Sequence, residues 1–117
     1  MKPAIDDFLP LAPATLHILL SLAGEKMYGY AIMQEVLRQS EGRVKLGPGT
    51  LYDNLQRLMK QRLVEEVDGP AGDDNSRRRY YRLTGLGRGV INAEIDRLRA
   101  VVDHAEAQIK SLRPRRA

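Results

Sequence analysis

Cysteine is missing from all 117 residues, and with it go disulfides, thiolate nucleophiles and every zinc site built on cysteine sulfur. Histidine occurs twice. His17 sits in the apolar run ATLHILLSLA and His104 in a charged helical pattern, so neither has a second imidazole nearby in sequence to make a metal pair, and both read as structural. No apolar run approaches the roughly 18 residues that span a bilayer, which predicts no membrane partner. The opening MKPAIDDFLP places two acids ahead of its apolar stretch and has no small-residue cleavage site behind a basic start; no secretory signal is expected, and a cytoplasmic location is. Enzyme signatures are lacking as well. There is no Walker sequence, GLGRG at Gly85–Gly89 misses the dinucleotide spacing and reads as a flexible joint, and Ser21, Ser40, Ser76 and Ser111 have no histidine or carboxylate at a recognisable motif spacing. No catalytic residue, metal or cofactor is predicted.

What is present describes a globular chain of one-domain size, 43% hydrophobic and 29% charged. The formal net charge of +4 is only mildly basic, so its distribution matters more than its total. Arg77, Arg78, Arg79 and Arg82 lie close together, and Lys110, Arg113, Arg115 and Arg116 form a second cluster that reads as a frayed, solubilising tail.

Periodicity orders the rest. Pro13 followed by ATLHILLSLAGEK predicts a first helix with Leu16, Leu19, Leu20 and Ala23 on one face, stopped by Gly24. YGYAIMQEVLRQSEG predicts a second, pairing Ile32 with Val36 and Met33 with Leu37, ended at Gly42. RVKL serves as a tiny strand or an extended linker. In LGPGTLYDNLQRLMKQRLV a third helix turns Leu51, Leu55, Leu58 and Met59 to a core and repeats Thr50, Asn54, Arg57 and Gln61 along a polar stripe. RLVEEVDG and RRYYRLT are two strands around the turn-forming GPAGDDNS, a hairpin with a long tip in which one of Tyr80 and Tyr81 packs inward and the other outward. Ile91, Ile95, Leu98, Val102, Ala105, Ile109 and Leu112 then alternate spacings of four and three, a heptad seam on a helix of about 40 Å that is too long to fold back on so small a core and predicts a second copy of the chain.

Three helices, a hairpin and a lone long helix make a mainly α fold with a small β-hairpin: a winged helix-turn-helix over residues 1–84, with a C-terminal dimerisation helix and basic tail over 85–117. The first turn of a helix carries unpaired N–H groups and the positive end of the dipole. Gly47 and Gly49 leave that turn of helix three open, and in a helix-turn-helix it enters the major groove of double-stranded DNA. The DNA-binding set predicted is Gly49, Thr50, Tyr52, Asn54, Arg57 and Lys60 on helix three, with Asn54 and Arg57 reading bases, and Arg77, Arg78 and Arg79 on the wing. The rival from another class is a winged-helix module that docks a protein and binds no DNA.

ATLHILLSLAGEKMYGYAIMQEV, GPGTLYDNLQRLMKQRLVEE and RRRYYRLTGLGR resemble the PadR-like transcriptional regulators over roughly Pro10 to Leu112. The resemblance implies a repressor that is an obligate homodimer through its C-terminal helix, binds an inverted-repeat operator and often releases it when a small molecule binds, with a small aromatic effector as the candidate. It also places Tyr52 and Arg77 to Arg79 at the DNA. Two positions depart from the family pattern. Asp53 follows the tyrosine, where a carboxylate near phosphate needs a partner such as Arg57 at i,i+4, and Arg62 stands for a glycine, which puts a left-handed helix cap there in doubt. Tryptophan is absent, so effector capture by stacking on tryptophan does not apply.

Overall fold

A computed structural model describes residues 4–72 and 78–112. A 3-10 turn at Ile5–Phe8 leads into α1 (Pro13–Ser21), followed by β1 (Met27–Tyr28), α2 (Gly29–Gln39), α3 (Pro48–Lys60), β2 (Val64–Val67), β3 (Tyr80–Leu83) and α4 (Gly85–Ser111). Pro13 and Pro48 occupy opening turns, where a missing N–H costs nothing. RVKL forms no strand. The unforeseen strand is β1, which joins the hairpin to make an antiparallel sheet of order β1-β3-β2, with Tyr28 opposite Tyr80 and Val64 opposite Leu83. Two residues are too few to show alternation, so composition could not reveal it.

The core is continuous across all four helices and the sheet. Ile18, Leu19, Leu22, Ile32, Val36, Leu51, Leu55, Leu58, Leu63, Val64, Tyr81, Leu83, Val90 and Ile91 belong to one buried cluster. Val90 and Ile91 lie in α4, so no break in packing falls at the expected division between residues 84 and 85. Ile91 is buried within its own chain, which corrects its assignment to an interchain seam, and Ile95 is half-buried against the same core. Both tyrosines of β3 are buried, which corrects the expectation that one faces outward; the Tyr28 ring packs against Tyr80.

GLGRG is the first turn of α4, not a flexible joint. Thr84 caps it, accepting from the Gly87 N–H at 3.0 Å while its hydroxyl donates to the Arg62 carbonyl at 2.5 Å. A Cβ on Gly87 would lie 2.1 Å from the Leu63 carbonyl oxygen, so glycine is there to let helix and strand touch. The end of α3 keeps its left-handed cap despite arginine. Arg62 has φ 62°, its N–H donates to Met59 O, and Leu63 N–H donates to Leu58 O, the double closure of a Schellman motif. Glu41 at φ 54° ends α2 in the same way.

One buried carboxylate ties the N-terminal arm to α4. Glu94 is fully buried; its Oε2 accepts from Leu11 N–H at 2.8 Å and its Oε1 from Arg97 Nε at 2.5 Å. The Arg97 hydrogen bond, aided by Leu11, holds the Glu94 carboxyl below the usual carboxylate range against the opposing effect of burial.

Candidate nucleic-acid interface

The start of α3 is open. Gly47 is its N-cap, in extended conformation and with no side-chain cap, and the first backbone bond inside the helix runs from Leu51 N–H to Gly47 O. The N–H groups of Gly49 and Thr50 therefore have no carbonyl within the helix to receive them. A Cβ added at Gly47 or Gly49 would meet nothing within 4 Å, and both residues are exposed. Neither glycine is required by packing or by a left-handed backbone. What their smallness provides is access to the amides. Arg43 and Lys45, both exposed, precede this turn.

Along α3 the exposed residues are Pro48, Gly49, Thr50, Tyr52, Asp53, Gln56, Arg57 and Lys60. Asn54 does not share this surface. It is 8% exposed, its Nδ2 donates to Thr50 O at 2.8 Å, and its Oδ1 accepts from Thr15 Oγ1 at 3.2 Å and from Arg57 Nη2 at 2.6 Å. Arg57, through the same Nη2, also reaches Thr15 Oγ1 at 3.4 Å. Of the polar stripe expected to face outward, Thr50, Arg57 and Gln61 are exposed, while Asn54, buried beside α1, takes Thr15 and Arg57 as partners. Arg57 is fixed by Asn54 and Thr15, not by a pairing with Asp53. A second outward-facing row runs through Gly49, Tyr52, Asp53, Gln56 and Lys60. Gln56 was missed, although its place four residues after Tyr52 was available as a signal.

Tyr52 is 44% exposed, and its ring lies across the start of α2. A Cβ on Gly29 would come within 2.3 Å of the Tyr52 hydroxyl, so Gly29 is the seat of that ring. Beneath it, burial pushes the Tyr81 hydroxyl pKa up, with Tyr52 and Glu66 adding to the effect.

The wing carries its charges in pairs. Arg82 Nε donates to Glu65 Oε1 at 2.6 Å, and Arg79 Nε lies 4.0 Å from Glu66 Oε1. The Arg78 guanidinium carbon sits 4.4 Å from the centre of the Tyr28 ring. Arg77 and the acids Asp73 and Asp74 lie outside the described residues, as do Arg113, Arg115 and Arg116. No group of three His, Asp or Glu side chains able to hold a metal occurs among the described residues, and no described helix is long and apolar enough to cross a membrane.

The profile of the transcriptional regulator PadR-like family matches residues 18–93. The chain belongs to that family. An uncharacterised protein X of Lysinibacillus sphaericus is 37% identical over 76 residues, covering 64% of this chain and 69% of that protein. Among solved structures, a PadR family transcription regulator from Clostridium difficile superposes with a TM-score of 0.70 at 21% identity, covering 84% of this chain and 99% of that one. Bacillus subtilis PadR, solved in complex with operator DNA, superposes with a TM-score of 0.62 at 17% identity over 74% of this chain and 48% of its own. The fold is thus the winged helix of PadR-like transcription regulators, with a long C-terminal helix. In these terms the Gly29–Tyr52 contact joins two of the stretches that carry the resemblance, GYAI and PGTLY: one supplies the gap and the other the ring that fills it.

Proposed function

We propose that this PadR-like protein binds double-stranded DNA sequence-specifically as a homodimer and represses transcription from an inverted-repeat operator. The observation that carries the reading is the bare start of α3, where two exposed glycines serve no packing need and leave amides and the positive helix end accessible. On this reading Gly49, Thr50 and Tyr52 meet the DNA, Gln56 takes the base-reading place first given to Asn54, Lys60 lies along the same stripe, and Arg77, Arg78 and Arg79 hold the backbone beside the groove. Asn54 and Arg57 become the brace that sets α3 on α1. Leu98, Val102, Ala105, Ile109 and Leu112 form the seam to the second copy, which would set two α3 helices about 34–36 Å apart.

Release by a small aromatic effector finds a candidate seat in a half-open groove of about 790 Å³ lined by Phe8, Met59, Val64 and Leu86, with Lys60 and Glu65 at hand. It is bounded by the end of α3 and the start of α4, so an occupant there touches both the reading helix and the pairing helix.

Fluorescence polarisation of the full chain against duplexes from its own upstream region and scrambled controls tests the reading. Binding should be sequence-dependent and fall steeply with added salt. A weak, salt-insensitive and sequence-blind signal would overturn it. Function that survives charge reversal at Arg78 and Arg79 would favour the protein-docking rival.

A further inference from the structure

We infer that the RVKL segment between α2 and α3 is a DNA-backbone contact in its own right, with Arg43 and Lys45 each set against a phosphate of one strand; the inference rests on the DNA-binding reading above. The segment forms no strand, yet its residues alternate: Arg43 is exposed, Val44 half-buried, Lys45 exposed and Leu46 buried. Such alternation puts side chains two apart on the same side of an extended chain. Val44 packs against the core and Leu46 belongs to it, so the two cations turn outward together. Two residues of extended chain span about 6–7 Å, comparable to the separation of adjacent phosphates along one DNA strand.

The backbone that carries them is tied down. Ser40, the C-cap of α2, is 8% exposed. Its Oγ accepts from Val44 N–H at 2.9 Å and faces the Val44 carbonyl oxygen at 3.3 Å as a donor, and its own carbonyl accepts from Arg43 N–H at 3.1 Å. Both backbone groups of Val44 are thus satisfied inside the turn, which explains why an alternating segment needs no strand partner. A backbone already ordered has less freedom to lose when Arg43 and Lys45 meet a ligand. Gly47, the N-cap of the open start of α3, lies two residues beyond Lys45, so the pair continues the surface at the foot of that helix. Other cations are committed within the chain: Arg38 bonds Glu35, Arg97 bonds Glu94, Arg82 bonds Glu65, and Arg79 lies beside Glu66. Arg43 and Lys45 make no ion pair among the described residues. Their charge is therefore available in full to displace counterions from a polyanion, and contacts of this kind fix the protein on the duplex without reading its sequence.

The experiment measures binding of the full chain to a sequence-selected duplex and to a random-sequence duplex over a range of salt, for the wild type, Arg43→Gln, Lys45→Gln, the double variant and Arg99→Gln. The last removes the same charge from an exposed residue of α4 far along the chain. Arg43→Gln and Lys45→Gln should each weaken both duplexes alike, by about three- to tenfold at about 0.1 M salt, and should each lower the slope of log affinity against log salt by about 0.9. The double variant should lower the slope by about twice as much, and Arg99→Gln should leave it unchanged. An unchanged slope in the double variant overturns the inference. So does an equal loss of slope in Arg99→Gln, which would make the effect one of net charge, and so does a loss confined to the selected duplex, which would make these residues readers of bases. Wild-type protein that binds neither duplex overturns this inference and the DNA-binding reading together; each of the other three outcomes overturns this one only.

Discussion

In the first half of α4, Val90, Ile91 and Glu94 are 0, 4 and 0% exposed; in the second half and at its C-cap, Val102, Ile109 and Leu112 are 54, 66 and 72% exposed. A single apolar repeat runs through both. The first half packs on the winged helix and belongs to its core, while every residue from 99 to 112 stands in the open. The molecule is drawn out accordingly, to 70 × 38 × 24 Å with a radius of gyration of 17.6 Å, against about 13 Å for a compact chain of this length. A heptad spacing therefore does not say which chain will cover it. What separates the halves is reach, since the domain is too small to follow a helix of 27 residues to its end. An apolar row left in water beyond that point is the signature of an interaction surface.

Equivalent isoleucines on either side of the division give the largest expected contrast. Ile91→Ala removes a branched side chain from a closed core and should cost about 2–5 kcal/mol in urea unfolding. Ile109→Glu should leave the circular dichroism spectrum intact and convert the protein to a monomer in sedimentation, raising the dissociation constant by about a hundredfold or more, because a charge then lies in the proposed seam. The contrast breaks if Ile109→Glu unfolds the chain or if its mass in solution does not change.

Next in size is the anchor within the buried half. Glu94→Gln should cost about 1–3 kcal/mol, since the Leu11 N–H keeps an acceptor while the charge-assisted bond to Arg97 is lost. The carboxyl is held low in the folded state, so its contribution is present above the ordinary carboxylate pKa of about 4.3 and disappears as pH falls through the lower folded value. Unfolding midpoints of wild type and Glu94→Gln should draw together progressively as pH falls below the ordinary carboxylate range. A constant gap would mean that Glu94 is held by packing alone.

Periodicity located α1, α2, α3 and α4, and Val- and Tyr-rich runs around a cluster of turn formers located β2 and β3, because both signals are local information. It did not locate β1, whose two residues owe their conformation to Tyr80 and Tyr81 across the sheet. At the candidate site, the bare start of α3 and the exposure of Tyr52 could be read directly, glycine and proline being position-specific. The fate of Asn54 and Arg57 could not. Thr15, 39 residues upstream of Asn54, decides it, and a polar stripe looks the same whether water or a neighbouring helix receives it. Gln56, on the second outward-facing row, gave way to residue types better known for base contacts. Gly87 looked like flexibility because nothing local reports the Leu63 carbonyl against it.

The smallest expected effect is a gain. Arg62 holds a left-handed backbone at φ 62°, a conformation that strains a side chain with a Cβ by about 1–2 kcal/mol and glycine hardly at all. Glycine would return part of this advantage through the greater entropy of its unfolded chain, so Arg62→Gly should stabilise the protein by about 0.5–1 kcal/mol net. The substitution keeps the backbone groups that close α3 on Leu58 and Met59 and the carbonyl that receives Thr84. The gain therefore falls on the joint between α3 and the buried half of α4 and should leave the exposed half untouched. A higher urea midpoint with an unchanged slope and an unaltered sedimentation profile is the expected result. Destabilisation by Arg62→Gly would show that the arginine side chain, and not the turn it interrupts, is what this joint requires.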